Sequence, residues 1–163
     1  MISILTTGGT IDKIYFDATS EYEIGEPTIP VIFQEVGVHA EYELTALMRK
    51  DSLDLTPADR VLIKESCEQS VSDKILITHG TDTMCETAEY LINDGGLAGK
   101  TIVITGALSP ARFRVTDAVF NLGLAMGAVQ SMSAGVYIAM SGEVFTAGKV
   151  RKNREAGKFE VIS

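Results

Sequence analysis

Ile2-Ser3-Ile4-Leu5-Thr6-Thr7-Gly8-Gly9-Thr10-Ile11 decides the fold: a short apolar run breaks at a glycine pair and hands over to a threonine. A second stretch, Ile75-Leu76-Ile77-Thr78-His79-Gly80-Thr81-Asp82-Thr83, repeats the design. Working outward, Ile2 to Thr6, Glu41 to Leu47, Ile75 to Thr78, Thr101 to Thr105 and Gly135 to Ala139 read as strands. Several are nearly continuous in apolar residues, as strands covered on both faces of a parallel sheet are. In such sheets ligands bind beyond the carboxyl ends of the strands, so the two threonine-bearing turns are expected to face each other across one crevice.

Helical sequence separates the strands. Thr56-Pro57-Ala58-Asp59 reads as an N-cap threonine, proline at the first position and an acid completing a capping box. A second helix is expected from Thr83, with Glu86 closing another capping box, to about Ile92, where Asn93-Asp94-Gly95-Gly96 stops it. Val115, Ala118, Val119, Leu122 and Met126 recur at helical spacing and predict the core stripe of a third. With strand and helix alternating to the end, the expectation is α/β: a single three-layer α/β/α domain over residues 1–163, doubly wound around a mostly parallel sheet. Lys13 to Pro30 is polar, aromatic and long for a connection, which suits a functional lid.

The chain has 163 residues, 45% of them hydrophobic, enough for a core without disulfides or metal. Its 22 acidic against 14 basic residues give a formal charge of -8, which argues against nucleic acid and anionic membrane surfaces as partners. Cys67 and Cys85 lie in helix-like sequence without metal-ligand spacing and read as reduced thiols. Met1 runs directly into the first strand, and no apolar run approaches the ~18 residues of a membrane helix, so a cytoplasmic protein is expected.

Each candidate residue has a plainer reading. Gly8-Gly9-Thr10 suits a nucleophile, a phosphate cradle or a simple tight turn; it lacks the Lys-Ser/Thr of a P-loop and the third glycine of a dinucleotide fingerprint. Asp82, beside a helix start, suits either a substrate ammonium or the helix's own free N–H groups. His79 shares one turn with Asp82 without any Gly-x-Ser-x-Gly elbow, and reads as a hydrogen-bonded packing residue. Ser52, in Asp51-Ser52-Leu53-Asp54, is placed to meet a carboxylate or merely to enter a helix. By composition, Lys152 in Lys149-Val150-Arg151-Lys152-Asn153-Arg154 belongs to a solvated surface run.

Together, Thr7-Gly8-Gly9-Thr10-Ile11, Tyr22-Glu23-Ile24-Gly25, Asp51-Ser52-Leu53-Asp54, His79-Gly80-Thr81-Asp82-Thr83-Met84 with Glu86-Thr87-Ala88, and Thr105-Gly106-Ala107 resemble the ordered motifs of bacterial-type L-asparaginases. The resemblance runs from Ile4 to about Phe159 and covers the family's amino-terminal domain. It implies an amidohydrolase that releases ammonia from L-asparagine or a related small amide, L-glutamine included, without metal or organic cofactor. Thr10 matches the attacking threonine and Tyr22 the lid tyrosine hydrogen-bonded to it. Thr81, Asp82 and Lys152 match a second cluster that polarises the threonine and its water. Ser52 matches the α-carboxylate ligand and Asp82 a ligand of the α-ammonium; Gly9 and Gly80 line the site, and Ala107 matches a carbonyl near the leaving amide.

A threonine hydroxyl needs a group to take its proton and another to stabilise the oxyanion. Tyr22 or Lys152 is the candidate for the first, backbone N–H groups near Gly9 and Thr81 for the second. Two-domain family members carry a further acidic ligand on a second domain, which is expected to be absent from this chain. Asp82 would then be the sole acidic partner of a substrate ammonium, with weak or retargeted catalysis, and a homodimer or higher oligomer is expected to cover the exposed face. Leu53 replaces a residue that is commonly polar in the family. Two other readings keep the same fold: a non-catalytic amino-acid-binding module, and a glutaminase subunit of a larger amidotransferase.

Overall fold

The computed structural model describes residues 1–93, 95 and 97–163. The chain passes through β1 (Ile2–Gly8), a hairpin of β2 (Lys13–Phe16) and β3 (Glu21–Ile24), α1 (Ile29–Glu35), β4 (Tyr42–Lys50), α2 (Pro57–Gln69), β5 (Lys74–Thr78), α3 (Met84–Ile92), β6 (Thr101–Thr105), α4 (Ala118–Ser131), β7 (Gly135–Met140), β8 (Glu143–Thr146), and a second hairpin of β9 (Val150–Asn153) and β10 (Lys158–Val161). Among the described residues one sheet has six strands in the order β4-β1-β5-β6-β7-β8. The first five are parallel and β8 returns antiparallel to β7.

The sheet's two faces bury separate cores. Ile63 and Cys67 of α2 and Met84, Ala88 and Leu91 of α3 pack on Leu5, Ile75, Ile77, Ile102 and Ile104. On the other face, Ile29, Ile32 and Phe33 of α1 and Ala118, Leu122 and Val129 of α4 pack on Ile2, Ile4, Leu76 and Val103. This is the expected three-layer, doubly wound α/β architecture. From β1 the chain moves outward to β4, then crosses back over β1 to β5 and continues the other way. The topological switch point therefore lies between β1 and β5, the strands that end in the threonine turns.

Local expectations divide. The α2 capping box forms: Thr56 Oγ1 accepts from the Asp59 N–H at 3.3 Å, and Asp59 Oδ2 from the Thr56 N–H at 2.8 Å. The one expected at α3 does not, although Thr83 is the N-cap. The Thr83 hydroxyl donates instead to Ser52 O at 2.8 Å, and Glu86 is drawn to Arg60 Nη2 at 3.3 Å. The helix ends at Ile92 as expected; Asp94 and Gly96 of its stop signal lie outside the described residues.

In α4 the stripe is shifted. Val115 precedes the helix and is 83% exposed, Val119 is exposed, and Asn121, Ala125 and Val129 join Ala118, Leu122 and Met126 in the buried face. Strand and helix do not alternate to the end, because after β7 the chain folds back as β8 and then as the β9–β10 hairpin. Lys13 to Pro30 is not an irregular loop either: it is the β2–β3 hairpin followed by the start of α1.

Candidate active site

Glycine contact joins the two turns. Gly9 sits at φ +85, and a Cβ there would fall 2.5 Å from Gly80 N and 2.6 Å from Gly80 Cα. A Cβ on Gly80 would in turn fall 2.6 Å from both Cβ and Oγ of Ser52. Three separate segments thus touch through positions where any side chain would wedge them apart. The turns do not stand across an open gap; their backbones pack, and the Thr7 hydroxyl ties β1 to β5 by donating to Thr78 O at 2.9 Å.

The second turn carries the charged centre. Lys152, from β9, donates from Nζ to Thr81 Oγ1 at 2.7 Å and to Asp82 Oδ1 at 2.8 Å. Its hydrogen bond and charge hold the Asp82 carboxyl below the usual carboxylate range against the opposing effect of burial, with Arg154 and Lys13 adding to the lowering. Arg154 Nε lies 3.8 Å from the same Oδ1. Asp82 Oδ2 has no protein partner among the described residues, and the side chain is 34% exposed, so one oxygen is left for a ligand. Lys152 itself is far from a solvated surface run: β9 places Val150 in the core, Arg151 outward and Lys152 half-buried.

Ser52 is buried in a short 3-10 turn (Ser52–Asp54) whose entry Asp51 caps by accepting from the Leu53 N–H at 3.0 Å. Its Oγ accepts from the Thr83 N–H at 3.3 Å, which leaves the hydroxyl proton to donate elsewhere. Thr10 begins a 3-10 turn (Thr10–Asp12) and is half-buried; its hydroxyl has no hydrogen-bond partner among the described residues. Of the backbone N–H groups near Gly9, that of Gly9 itself is spent on Lys50 O at 2.9 Å. The backbone N–H groups of Thr10 and Thr81 donate to no other described residue.

Tyr22 is not brought to Thr10 by a hydrogen bond. Its ring is 54% exposed and packs at 6.0 Å from Phe113 and 5.6 Å from Tyr15, so the β2–β3 hairpin leans on the loop after β6. Ala107 is buried in that loop.

Sequence reasoning missed the residues that hold this loop and the first turn. Asp117 accepts from the Leu108 and Ser109 N–H groups at 2.9 and 3.0 Å, while Asn121 Nδ2 donates to Gly106 O at 3.0 Å and to Asp117 Oδ2 at 2.9 Å. Asp12, only 2% exposed, accepts from both the N–H and the hydroxyl of Thr28 at 2.9 and 2.8 Å; burial raises its carboxyl's pKa despite those bonds. The Asp117/Asn121 pair at i, i+4 was the one signal available, since polar residues four apart in an otherwise apolar helix call for partners.

An open, mostly parallel sheet that gathers Lys152, Asp82, Thr81 and Ser52 at its switch point defines an α/β protein with a polar cluster where such folds bind their ligands. Residues 1–160 match the family model described as Asparaginase, N-terminal. The chain is 32% identical over 162 residues to the probable periplasmic L-asparaginase of Haemophilus influenzae and 32% identical over 164 residues to L-asparaginase 2 of Escherichia coli, in both cases across 93% of this chain and 46% of the relative. It superposes on the thermostable L-asparaginase of Thermococcus kodakarensis with a TM-score of 0.83 at 26% identity, over 99% of this chain and 51% of that one. The chain belongs to the asparaginase family, to the part described as amino-terminal. It spans about half the length of the curated relatives it matches.

Proposed function

We propose that residues 1–163 form a catalytic domain that hydrolyses the side-chain amide of L-asparagine, or of a related small amide such as L-glutamine, through a threonine nucleophile. The observation that carries this reading is the Lys152 ammonium bridging Thr81 Oγ1 and Asp82 Oδ1, with Thr10, whose hydroxyl has no hydrogen-bond partner among the described residues, on the adjoining turn. The Thr10 oxygen attacks the amide carbon, and its proton leaves through Tyr22 once the hairpin brings that phenol in. The N–H groups of Thr10 and Thr81, without a hydrogen-bond acceptor among the described residues, take the oxyanion. Collapse of the tetrahedral adduct breaks the C–N bond as the proton from Thr10, relayed by the Tyr22 phenol, reaches the leaving nitrogen, which departs as ammonia. Water polarised by Thr81 and Lys152 then cleaves the acyl ester to aspartate.

Ser52 and Asp82 hold the substrate's α-carboxylate and α-ammonium, Gly9 and Gly80 let the substrate approach the backbone, and the Ala107 carbonyl faces the leaving amide. The state of assembly is part of the same proposal: a homodimer or higher oligomer, to be read by light scattering. Cytoplasmic residence is supported by two free cysteines whose thiols burial pushes up to about 12 at Cys67 and about 11 at Cys85. Among the described residues no helix is long and apolar enough to cross a membrane.

The test is ammonia release by the full chain at saturating L-asparagine and L-glutamine, beside Thr10→Ala and Thr81→Val. Release that vanishes in both variants is expected. Undiminished release in either removes that threonine from the mechanism, and no release from the folded parent refutes the activity.

A further inference from the structure

His79 is fully buried, and the mechanism above does not use it. Its ring makes two contacts: Nδ1 to Gly80 O at 2.7 Å and Nε2 to Thr87 Oγ1 at 2.8 Å. A carbonyl oxygen only accepts, so Nδ1 carries a proton. Burial, with the Arg60 charge helping, drives the ring's pKa down to about 4, so it is neutral near pH 7 and Nε2 is the acceptor. The Thr87 hydroxyl must then donate to Nε2, and its oxygen in turn accepts from Arg60 Nε at 3.2 Å. Arg60 has no acceptor capacity at all. Every bond therefore points one way, from Arg60 through Thr87 and His79 to Gly80 O, and aligned bonds of this kind strengthen one another.

The far end matters because the peptide joining Gly80 and Thr81 is planar and trans. With its C=O turned inward to His79, its N–H, which belongs to Thr81, points to the opposite side. That N–H has no partner among the described residues. We propose that Arg60, Thr87 and His79 form a one-way hydrogen-bond relay that locks the Gly80–Thr81 peptide so that the Thr81 N–H stays a free, aimed donor for the ligand's developing charge. Arg60 and Thr87 are then positioning residues, acting through His79 and touching no substrate. Arg60 is held for this task on α2, its side chain 13% exposed and its Nη2 tethered to Glu86. The relay rests on the proposed hydrolysis only for its effect on turnover; the lock itself is independent of that reading.

Two readouts separate the claims. Nitrogen-15 NMR of the full chain at pH 7.5 is expected to find the His79 proton on Nδ1, with the Nδ1–H protected from solvent exchange. Thr87→Val, close in shape to the parent, and Arg60→Met are each expected to make that proton exchange at least tenfold faster, and Thr87→Ser to restore the protection. In the ammonia assay Thr87→Val is expected to lower kcat about 10- to 100-fold, as misplacing one catalytic group does, with KM within about twofold. A proton on Nε2 in the parent, or unchanged protection in both variants, overturns the lock. Lost protection with kcat unchanged in an active enzyme overturns the positioning role. A parent that releases no ammonia refutes the hydrolase reading instead, and the exchange data still decide the lock.

Discussion

Lowering the pH tests the buried histidine directly. His79 has its pKa depressed from 6.5 to about 4, chiefly by burial. Between those values the unfolded chain binds a proton that the folded chain refuses, so acid favours unfolding. The stability involved is fully present above pH 6.5 and is lost as the pH falls toward 4. At ~1.36 kcal/mol per pKa unit the whole shift corresponds to about 3 kcal/mol, of which about 2.5 kcal/mol is gone by pH 4.5. Against a domain stability of ~5–15 kcal/mol, that is large.

Urea unfolding followed by far-UV circular dichroism at pH 7.5 and pH 4.5, for the parent and for His79→Gln, isolates the term. Other groups, including Asp12 with its opposite shift, cancel in the comparison. The parent is expected to lose about 2.5 kcal/mol more than the variant between the two pH values. Parallel losses would refute the reasoning and mean that His79 is protonated at no cost in the fold.

Further outcomes follow from local geometry. Gly9→Ala combines a positive φ with a Cβ 2.5 Å from Gly80 N, and is expected to cost at least about 2 kcal/mol in chemical unfolding and to abolish ammonia release. Thr56→Ala removes one half of the α2 capping box and should lower stability by about 1 kcal/mol, with kinetics unchanged. Lys152→Met strips the donor from Thr81 and Asp82; turnover is expected to disappear while calorimetry still detects aspartate binding, and unchanged turnover would exclude the lysine from the chemistry.

The central sheet was legible because strands buried on both faces leave unbroken apolar runs, as Ile75 to Thr78 and Thr101 to Thr105 do. The turns were legible because only glycine fits at positions 9 and 80. The hairpins were not. In β2–β3 and β9–β10 short strands rest one face on the body and leave the other to water, so Lys149 to Arg154 reads as a surface run although Val150 is buried and Lys152 is bonded to Thr81. Helix α1 was missed because Pro30, at its second position, resembles the end of a loop rather than the start of a seven-residue helix. The α3 capping box failed for a reason local sequence cannot hold: Ser52 and Arg60, distant in the chain, claim Thr83 and Glu86. The meeting of Thr81, Asp82 and Lys152 was readable only through the family pattern, since 70 residues separate the lysine from the aspartate it meets.

That separation has a consequence for the order in which the molecule is made. The Lys152–Thr81 bond spans 71 residues, and closing so long a loop is entropically costly until Val150 and Phe159 bury beside it. A nascent chain that has emerged only as far as Met140 carries all five parallel strands and both threonine turns, yet it lacks the one ammonium group that joins Thr81 to Asp82. During synthesis the two threonine turns are therefore in place well before Lys152 reaches them, and the ion pair arrives with the β9–β10 hairpin.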